Sequence, residues 1–420
     1  MDINKLLKGV DCKCGKKHTC SIDYVYIEKN AIDRLKEICR ENNNILLVAD
    51  QNTFSAAGEK TEAALAGKSI KKVIFSGDTI LIPDERAIKE VTDKLACSDL
   101  IIGIGSGVIQ DLCKYVSFYN KIPYIIVATA PSMDGYASTG AAMITGGMKV
   151  TYPAGLPTAI LADTEVLKAA PIDMIKAGYG DIIGKFSALN DWKLSHCING
   201  EYFCEYIYNL TFEQIQKTLS LADGILKRDE QSIKTLMEAL VVIGILMSFA
   251  GSSRPASGSE HHLSHFFEIT GIITNTEYLP HGIDVAFSTV MTASLREKLL
   301  SRKFPSKIYR PSREAYEKRI REIYRETADG CIALQDKVGY YSADKTAIFL
   351  EKESEIREIL SEMPSAEQIK EMLSLAELDI KDFYSLYGKE KIETALLYAK
   401  DLKDRYTVLW MNYDFYGDES

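Results

Sequence analysis

The chain has 420 residues, 46% hydrophobic and 26% charged, with a formal net charge of −9 at pH 7. That length can bury a large core and divides naturally into two domains. The acidic balance argues against a nucleic-acid surface or a polybasic membrane anchor.

In chain order, the first feature is CKCGKKHTC at 12–20. Cys12, Cys14, His18 and Cys20 could in principle furnish four soft zinc ligands, but structural zinc sites usually space paired cysteines more widely at a turn. A reduced, locally packed cluster is the expectation. The nine cysteines are scattered thinly along the chain, unlike a secreted disulfide scaffold, and read as reduced thiols. No basic leader precedes an apolar run at the start. The longest apolar stretch, ALVVIGILMSFA at 239–250, is too short to span a bilayer, so no membrane insertion and a cytoplasmic setting are expected.

Short β-rich runs then alternate with helix-like segments. DYVYIE (23–28), NILLVAD (44–50), KKVIFSGD (71–78), SDLIIGIG (98–105) and IPYIIVATA (122–130) are strand candidates, with crossover helices expected around 30–41, 84–96 and 107–119. The pattern predicts a parallel sheet covered by helices. A hairpin is expected over 140–152 before AILAD (159–163) returns to the sheet. Beyond Asp163 the strand signals fade, and helices are expected at about 173–198, 211–221, 228–250, 259–269 and 282–299, with more between 312 and 405. The fold class is therefore α/β. A parallel-sheet dinucleotide-binding domain (1–163) precedes an all-helical metal-binding and catalytic domain (164–420), with a ligand expected in a cleft between them.

IIGIGSGVIQDLCKY places Gly103, Gly105 and Gly107 after an apolar strand and before an amphipathic helix. Glycines there permit a tight turn and let the backbone approach a pyrophosphate at the helix terminus. The spacing is not a full GxGxxG fingerprint. Asp50 is either an acceptor for an adenosine ribose, which would favour NAD, or a helix cap. SEHHLSH (259–265) holds three of the six histidines. On a helix His261 and His265 share a face, whereas His262 turns about 100° away from His261. His281 precedes a further helix in LPHGIDVAF, and Asp181 lies in GYGDIIGK, read as a polar glycine turn entering a helix. Asp181, His261 and His281 would suit zinc with a fourth position open; the alternative makes Asp181 a cap and the histidines ordinary hydrogen-bonding groups. Arg254 is a candidate phosphate contact or a structural salt bridge.

The combination of CKCGKKH, GIGSGVIQD, TAPSMDGYAS, GYGDIIGK, SRPASGSEHHLSH, LPHG and AKDLKDRYTVLW resembles the sn-glycerol-1-phosphate dehydrogenase family. Glycerol dehydrogenase, iron-type alcohol dehydrogenases and dehydroquinate synthase share its superfamily. The resemblance covers nearly the whole chain and implies a dehydroquinate-synthase-like fold. It matches Asp181, His261 and His281 to the metal ligands, His265 to a histidine close to substrate and Asp134 to a substrate-facing acid. Asp50, Gly105, Ser106, Gly107, Val108, Ile109, Gln110, Asp111, Thr129, Ser132 and Ser138 match cofactor contacts. It implies NAD or NADP, with the Asp50 reading preferring NAD, and one divalent ion, for which one Asp and two His make zinc the default with nickel or iron also accepted. The implied reaction interconverts dihydroxyacetone phosphate and sn-glycerol 1-phosphate, in a homo-oligomer such as a dimer. The extra His262 is a departure, and helical geometry prefers the 261/265 pair. Two other readings stand beside this one. A dehydrogenase for glycerol or another small polyol would need no phosphate pocket, and a nucleotide-sensing metal protein would not turn over.

Overall fold

The structure is a computed structural model and describes residues 3–146 and 148–417. The chain gathers into two compact units, one running to Ile182 and taking up Gln216–Ser253, the other formed by Ile183–Ile215 with Arg254 onward.

The first unit opens with α1 (Ile3–Leu7) and a small antiparallel hairpin, β1 (Val10–Asp11) and β2 (Lys17–His18). The sheet elements follow: β3 (Tyr24–Glu28), a 3-10 turn running into α2 (Leu35–Ile38), β4 (Asn44–Asp50), α3 (Gln51–Ala64), β5 (Ser69–Phe75), α4 (Glu85–Lys94), β6 (Leu100–Gly105), α5 (Gly107–Asn120) and β7 (Tyr124–Ala128). The hairpin β8 (Gly140–Thr145) and β9 (Met148–Pro153) is antiparallel, and β10 (Ala159–Asp163) returns to the sheet. All six sheet strands are parallel, in the order β3-β10-β7-β6-β4-β5.

Alternation along β4 shows how the core is divided. Ile45, Leu47 and Ala49 face one layer, with Ala57 of α3 and Leu35 of α2; Leu46 and Val48 face the other, with Val91 of α4 and Leu112 of α5. Strands β6, β7 and β10 are buried at every position, which is why they read as unbroken apolar runs rather than alternating ones. Each Leu, Ile or Val side chain among them contributes roughly 1.5–3 kcal/mol through burial.

Helix α3 is not among the helices expected from sequence. Its buried face is Ala57, Gly58, Thr61 and Ala64, small residues that leave a faint apolar stripe. What fixes it locally is a capping box: Asp50 Oδ1 accepts from Thr53 N at 2.9 Å, and Thr53 Oγ1 accepts from Asp50 N at 3.1 Å.

The helices continue as α6 (Thr164–Ala169), α7 (Ile172–Asn199), α8 (Glu205–Leu219), α9 (Ala222–Leu226) and α10 (Glu230–Ala250). Helix α10 carries the longest apolar stretch and is long and apolar enough to cross a membrane by length and composition. The expectation judged only its apolar core. Yet 78% of its most apolar window is buried, and a Cβ on Gly244 would lie 2.8 Å from both Ala137 Cβ and Asp134 O. It is a core helix of this unit.

In the second unit the described residues form helices and connections without a strand. Here α11 (Ser259–Thr274) lies beside α12 (His281–Ser301). A buried polar network sets their register against α7: Arg296 on α12 reaches Asp191 (2.8 Å) and Asn190 (2.8 Å), while Asp191 accepts the amides of Ser259 (2.7 Å) and Val408 (2.8 Å). Every partner in that network is nearly or fully buried, so removing Arg296 or Asp191 alone would leave an uncompensated charge, a loss of about 3–5 kcal/mol.

Candidate active site

The first half of the site grows from the topology of the sheet. Strand β4 leads outward to β5, and the chain then crosses to β6 on β4's other side, so the order reverses between β4 and β6. Open α/β sheets bind ligands outside the carboxyl ends of strands at such a point. Asp50 ends β4 and Gly105 ends β6, one residue beyond the paired Ala49 and Ile104.

The three glycines have different tasks. A Cβ on Gly103 would come within 2.9 Å of Cys113 Sγ, and one on Gly105 within 2.6 Å of Ile109 Cβ, so both are required for α5 to sit close to β6. A Cβ on Gly107 would meet nothing nearer than Met133 Cγ at 3.9 Å. Packing does not demand that glycine. Ser106, the N-cap of α5, makes no side-chain bond to the first turn, where the opening amides have no intrahelical partner. Thr129 N donates to Gly105 O (3.1 Å) and Ser132 Oγ to Ser106 Oγ (3.2 Å), which brings the 129–132 segment to the glycine turn.

Other residues matched to the cofactor are committed within the protein. Gln110 is fully buried and donates to Tyr136 O (3.0 Å) and Tyr124 Oη (3.2 Å). Asp111 accepts from Lys114 Nζ (3.1 Å) and Ala142 N (3.1 Å). Lys114, which carried no signal in the sequence, is completely buried, and its ammonium also reaches Gly135 O, Ser138 Oγ and Gly140 O at 3.0, 3.1 and 2.9 Å. Ile109 is in the core, and Val108 is half-buried beside Gly107. Asp50 is the cap of α3, so the capping alternative describes what its Oδ1 does.

The metal-ligand candidates lie on three helices. Asp181 is not in a turn: it is fully buried inside the 28-residue helix α7. The glycines around it serve close packing. A Cβ on Gly178 would fall 1.8 Å from Pro131 O, and one on Gly184 would fall 2.5 Å from Val285 Cγ1. Asp181 Oδ2 accepts from Asp134 N at 3.0 Å, tying the helix to the loop that carries the other matched acid. His261 and His265 project from α11, and His281 is the first residue of α12. Their ring centroids are separated by 6.2 Å (261 to 265), 5.1 Å (261 to 281) and 5.7 Å (265 to 281). His261 and His281, both in the second unit, each offer one ligand atom, and these atoms lie within 4.8 Å of each other.

Glu260 is the partner that sequence reasoning missed. Its Oε1 accepts from His261 Nδ1 at 2.7 Å and from Gly258 N at 2.8 Å. With Nδ1 donating, the lone pair of His261 belongs to Nε2, which can then serve a metal. Burial, opposed by the Gly258 amide, raises the Glu260 carboxyl above its ordinary range. An acid immediately before the first histidine was the available signal. His262 lies outside the three-histidine group. It is fully buried with neither ring nitrogen hydrogen-bonded, and burial, reinforced by Arg405, Lys403 and Arg254, holds it well below its usual titration range. Arg254 forms a bidentate pair with Glu201, Nε to Oε1 at 2.7 Å and Nη2 to Oε2, and donates to Tyr406 O at 3.0 Å. Of its two readings, the salt bridge is the one present.

The donor set fits a divalent ion. Two ligands on one tetrahedral zinc stand about 3.3 Å apart, so modest side-chain rotation closes the observed spread.

A sequence profile described as iron-containing alcohol dehydrogenase matches residues 26–171. The chain is 35% identical over 306 residues to glycerol-1-phosphate dehydrogenase [NAD(P)+] of Halalkalibacterium halodurans, covering 70% of this chain and 77% of that protein. It is 31% identical over 410 residues to the enzyme of the same name from Geobacillus stearothermophilus, covering 95% and 94%. Among solved structures, an iron-containing alcohol dehydrogenase from Thermococcus thioreducens superposes with a TM-score of 0.60 at 15% identity, over 91% of this chain and 92% of the other. That likeness shows the fold, and the sequence matches show the family. The chain belongs to the glycerol-1-phosphate dehydrogenases, within the iron-containing alcohol dehydrogenase superfamily.

Proposed function

We propose that this chain is an NAD(P)-dependent glycerol-1-phosphate dehydrogenase that reduces dihydroxyacetone phosphate to sn-glycerol 1-phosphate and runs reversibly. Family membership supports the reaction. The observation that carries its chemistry is the pair of imidazoles His261 and His281, which offer ligand atoms within 4.8 Å of each other; the family resemblance adds the Asp181 carboxylate.

Reduction moves a hydride from the reduced nicotinamide C4 to the substrate's C2 carbon and a proton to its oxygen. A divalent ion, when bound, supplies Lewis acidity for that oxygen. The chain's own residues do the rest. Glu260 fixes the His261 ring, and the Asp134 amide fixes the Asp181 carboxylate. His265, one helical turn from His261 and half-buried, delivers the proton directly or through a water. Asp134 orients a substrate hydroxyl. At the other end, the Gly107 amide and its neighbours receive the pyrophosphate, with Thr129, Ser132 and Ser138 lining the approach. The remaining oxygen of Asp50 meets the adenosine ribose, which sets a preference for NAD. Zinc is the default ion for this donor set. By family resemblance the assembly is a homo-oligomer, a dimer in its simplest form.

The test compares dihydroxyacetone phosphate with dihydroxyacetone under one set of cofactor and metal conditions. Higher kcat/KM for the phosphorylated ketone is expected; similar efficiencies would move the chain to a polyol dehydrogenase.

A further inference from the structure

The two imidazoles of the second unit are not held alike. Glu260 grips the His261 ring at 2.7 Å. His281 Nδ1 stands 3.4 Å from Ser264 Oγ, well beyond the roughly 2.7–3.2 Å of an ordinary hydrogen bond from nitrogen. A contact of that length fixes the ring weakly and leaves part of its placement to the backbone beneath it.

That backbone sits at a weak point of the helix. His281 is the first residue of α12, where the opening amides have no intrahelical partner, and the N-cap, Pro280, makes no side-chain cap. Residues 274–277 and 280, leading into the helix, are exposed. One tie comes from Tyr278, which covers Gly271: a Cβ there would lie 2.8 Å from Tyr278 Cδ1. A second comes from a helix far along the chain, Ile380–Tyr398.

Tyr387 on that helix makes the tie with one hydroxyl. Its Oη accepts the Leu279 amide at 3.0 Å and donates to Asp284 Oδ2 at 3.2 Å. Leu279 precedes His281 and Asp284 follows it on the first turn of α12, so the hydroxyl clasps the entry of the helix from outside and stands in for the missing cap. The tyrosine is itself fixed. It is 6% exposed, stacks on Phe267 of α11 at 4.0 Å and 11°, and meets Phe383 edge-on at 5.1 Å. Phe267 and His261 share α11, so one rigid side chain refers the start of α12 to the helix that carries the other imidazole. All of these residues belong to the second unit.

We propose that Tyr387 is a positioning residue for His281, holding the entry of α12 so that this imidazole is set for the ion before the ion arrives. The proposal rests on the reading of His281 as a metal ligand. Tyr387 touches neither metal nor substrate and acts through the backbone. Partners that orient a metal ligand are worth about 10- to 100-fold in metal affinity, and a hydroxyl acting through one backbone link belongs at the lower end. The competing role is purely structural: the hydroxyl satisfies two buried polar groups and stabilises the fold.

Zinc dissociation constants, measured on metal-stripped protein by competition with a chromophoric chelator, separate the two roles. Tyr324 provides the control, because it is fully buried and its hydroxyl donates to Tyr398 O at 2.8 Å, a comparable bond that involves no residue of 279–284. Tyr387→Phe should raise the zinc dissociation constant about 10-fold, while Tyr324→Phe leaves it unchanged. No rise in folded Tyr387→Phe overturns the proposal, as does an equal rise in both variants. His281→Ala is measured beside them. A wild-type constant in that variant overturns the metal reading and the proposal with it, whereas a weakened His281→Ala beside an unaltered Tyr387→Phe overturns the positioning role alone. If Tyr387→Phe does not fold, hydrogen exchange on the wild type decides: the Leu279 amide should be protected in the metal-stripped protein, and rapid exchange there overturns the proposal.

Discussion

Gly107→Ala separates a binding role from a packing role. A methyl at this position meets nothing within 3.9 Å, and the residue opens α5, so the folded state loses nothing and gains up to about 1 kcal/mol from alanine's helix propensity. The same methyl stands where a pyrophosphate would approach the first-turn amides. Losing one charge-assisted hydrogen bond there costs about 1.5–3 kcal/mol, which raises the NADH dissociation constant roughly 10- to 100-fold at about 1.4 kcal/mol per decade. Fluorescence titration of NADH, paired with a thermal scan, reads both quantities. The expected result is weakened cofactor binding with an unchanged or slightly raised melting temperature. An unaltered dissociation constant in the folded variant would refute the placement of the pyrophosphate.

Asp50→Ala removes the α3 cap and should lower stability by about 1 kcal/mol; through the lost ribose contact it should also narrow the kcat/KM gap between NADH and NADPH. A wild type that prefers NADPH would reject the second effect. Asp181→Asn, His261→Ala and His281→Ala should each reduce metal occupancy after dialysis, whereas His265→Ala should keep the metal and slow single-turnover hydride transfer, and His262→Ala should affect the metal least. Native occupancy in folded ligand variants would contradict the assignment. On α12, Asp284 is buried and accepts a hydrogen bond from Tyr387 Oη at 3.2 Å; burial first, then the Glu268 carboxylate, push its acid well above the ordinary value while the tyrosine opposes them. A raised folded value means its stabilising contribution is complete below the unfolded value, about 3.9, and is lost as pH rises, by up to about 1.4 kcal/mol per unit until the folded value is passed. Asp284→Asn should therefore raise the melting temperature relative to wild type at pH 8 by more than at pH 4; an equal difference at both would count against it.

Legibility followed burial. Strands β6, β7 and β10 could be read because both faces are covered, which makes each a largely apolar run, and the β8–β9 hairpin could be read from its β-branched segment. Helix α3 escaped because its inward face is alanine, glycine and threonine. GYGDIIGK was misread as a turn for a related reason: glycine signals both a bend and a surface where another backbone comes close, and Gly178 is of the second kind, with Pro131 O against it. The histidines were readable from helical spacing, but Glu260's hold on His261 depends on a side-chain direction that spacing does not encode.

The most direct test of the central claim is the stereochemistry of the product. Dihydroxyacetone phosphate is incubated with NADH deuterated at C4 and the metal-replete protein, and the glycerol phosphate formed is resolved by chiral analysis. The account predicts deuterium at C2 of sn-glycerol 1-phosphate, with loss of product in Asp181→Asn. Formation of sn-glycerol 3-phosphate, or cofactor binding with no labelled product under the same conditions, would contradict it.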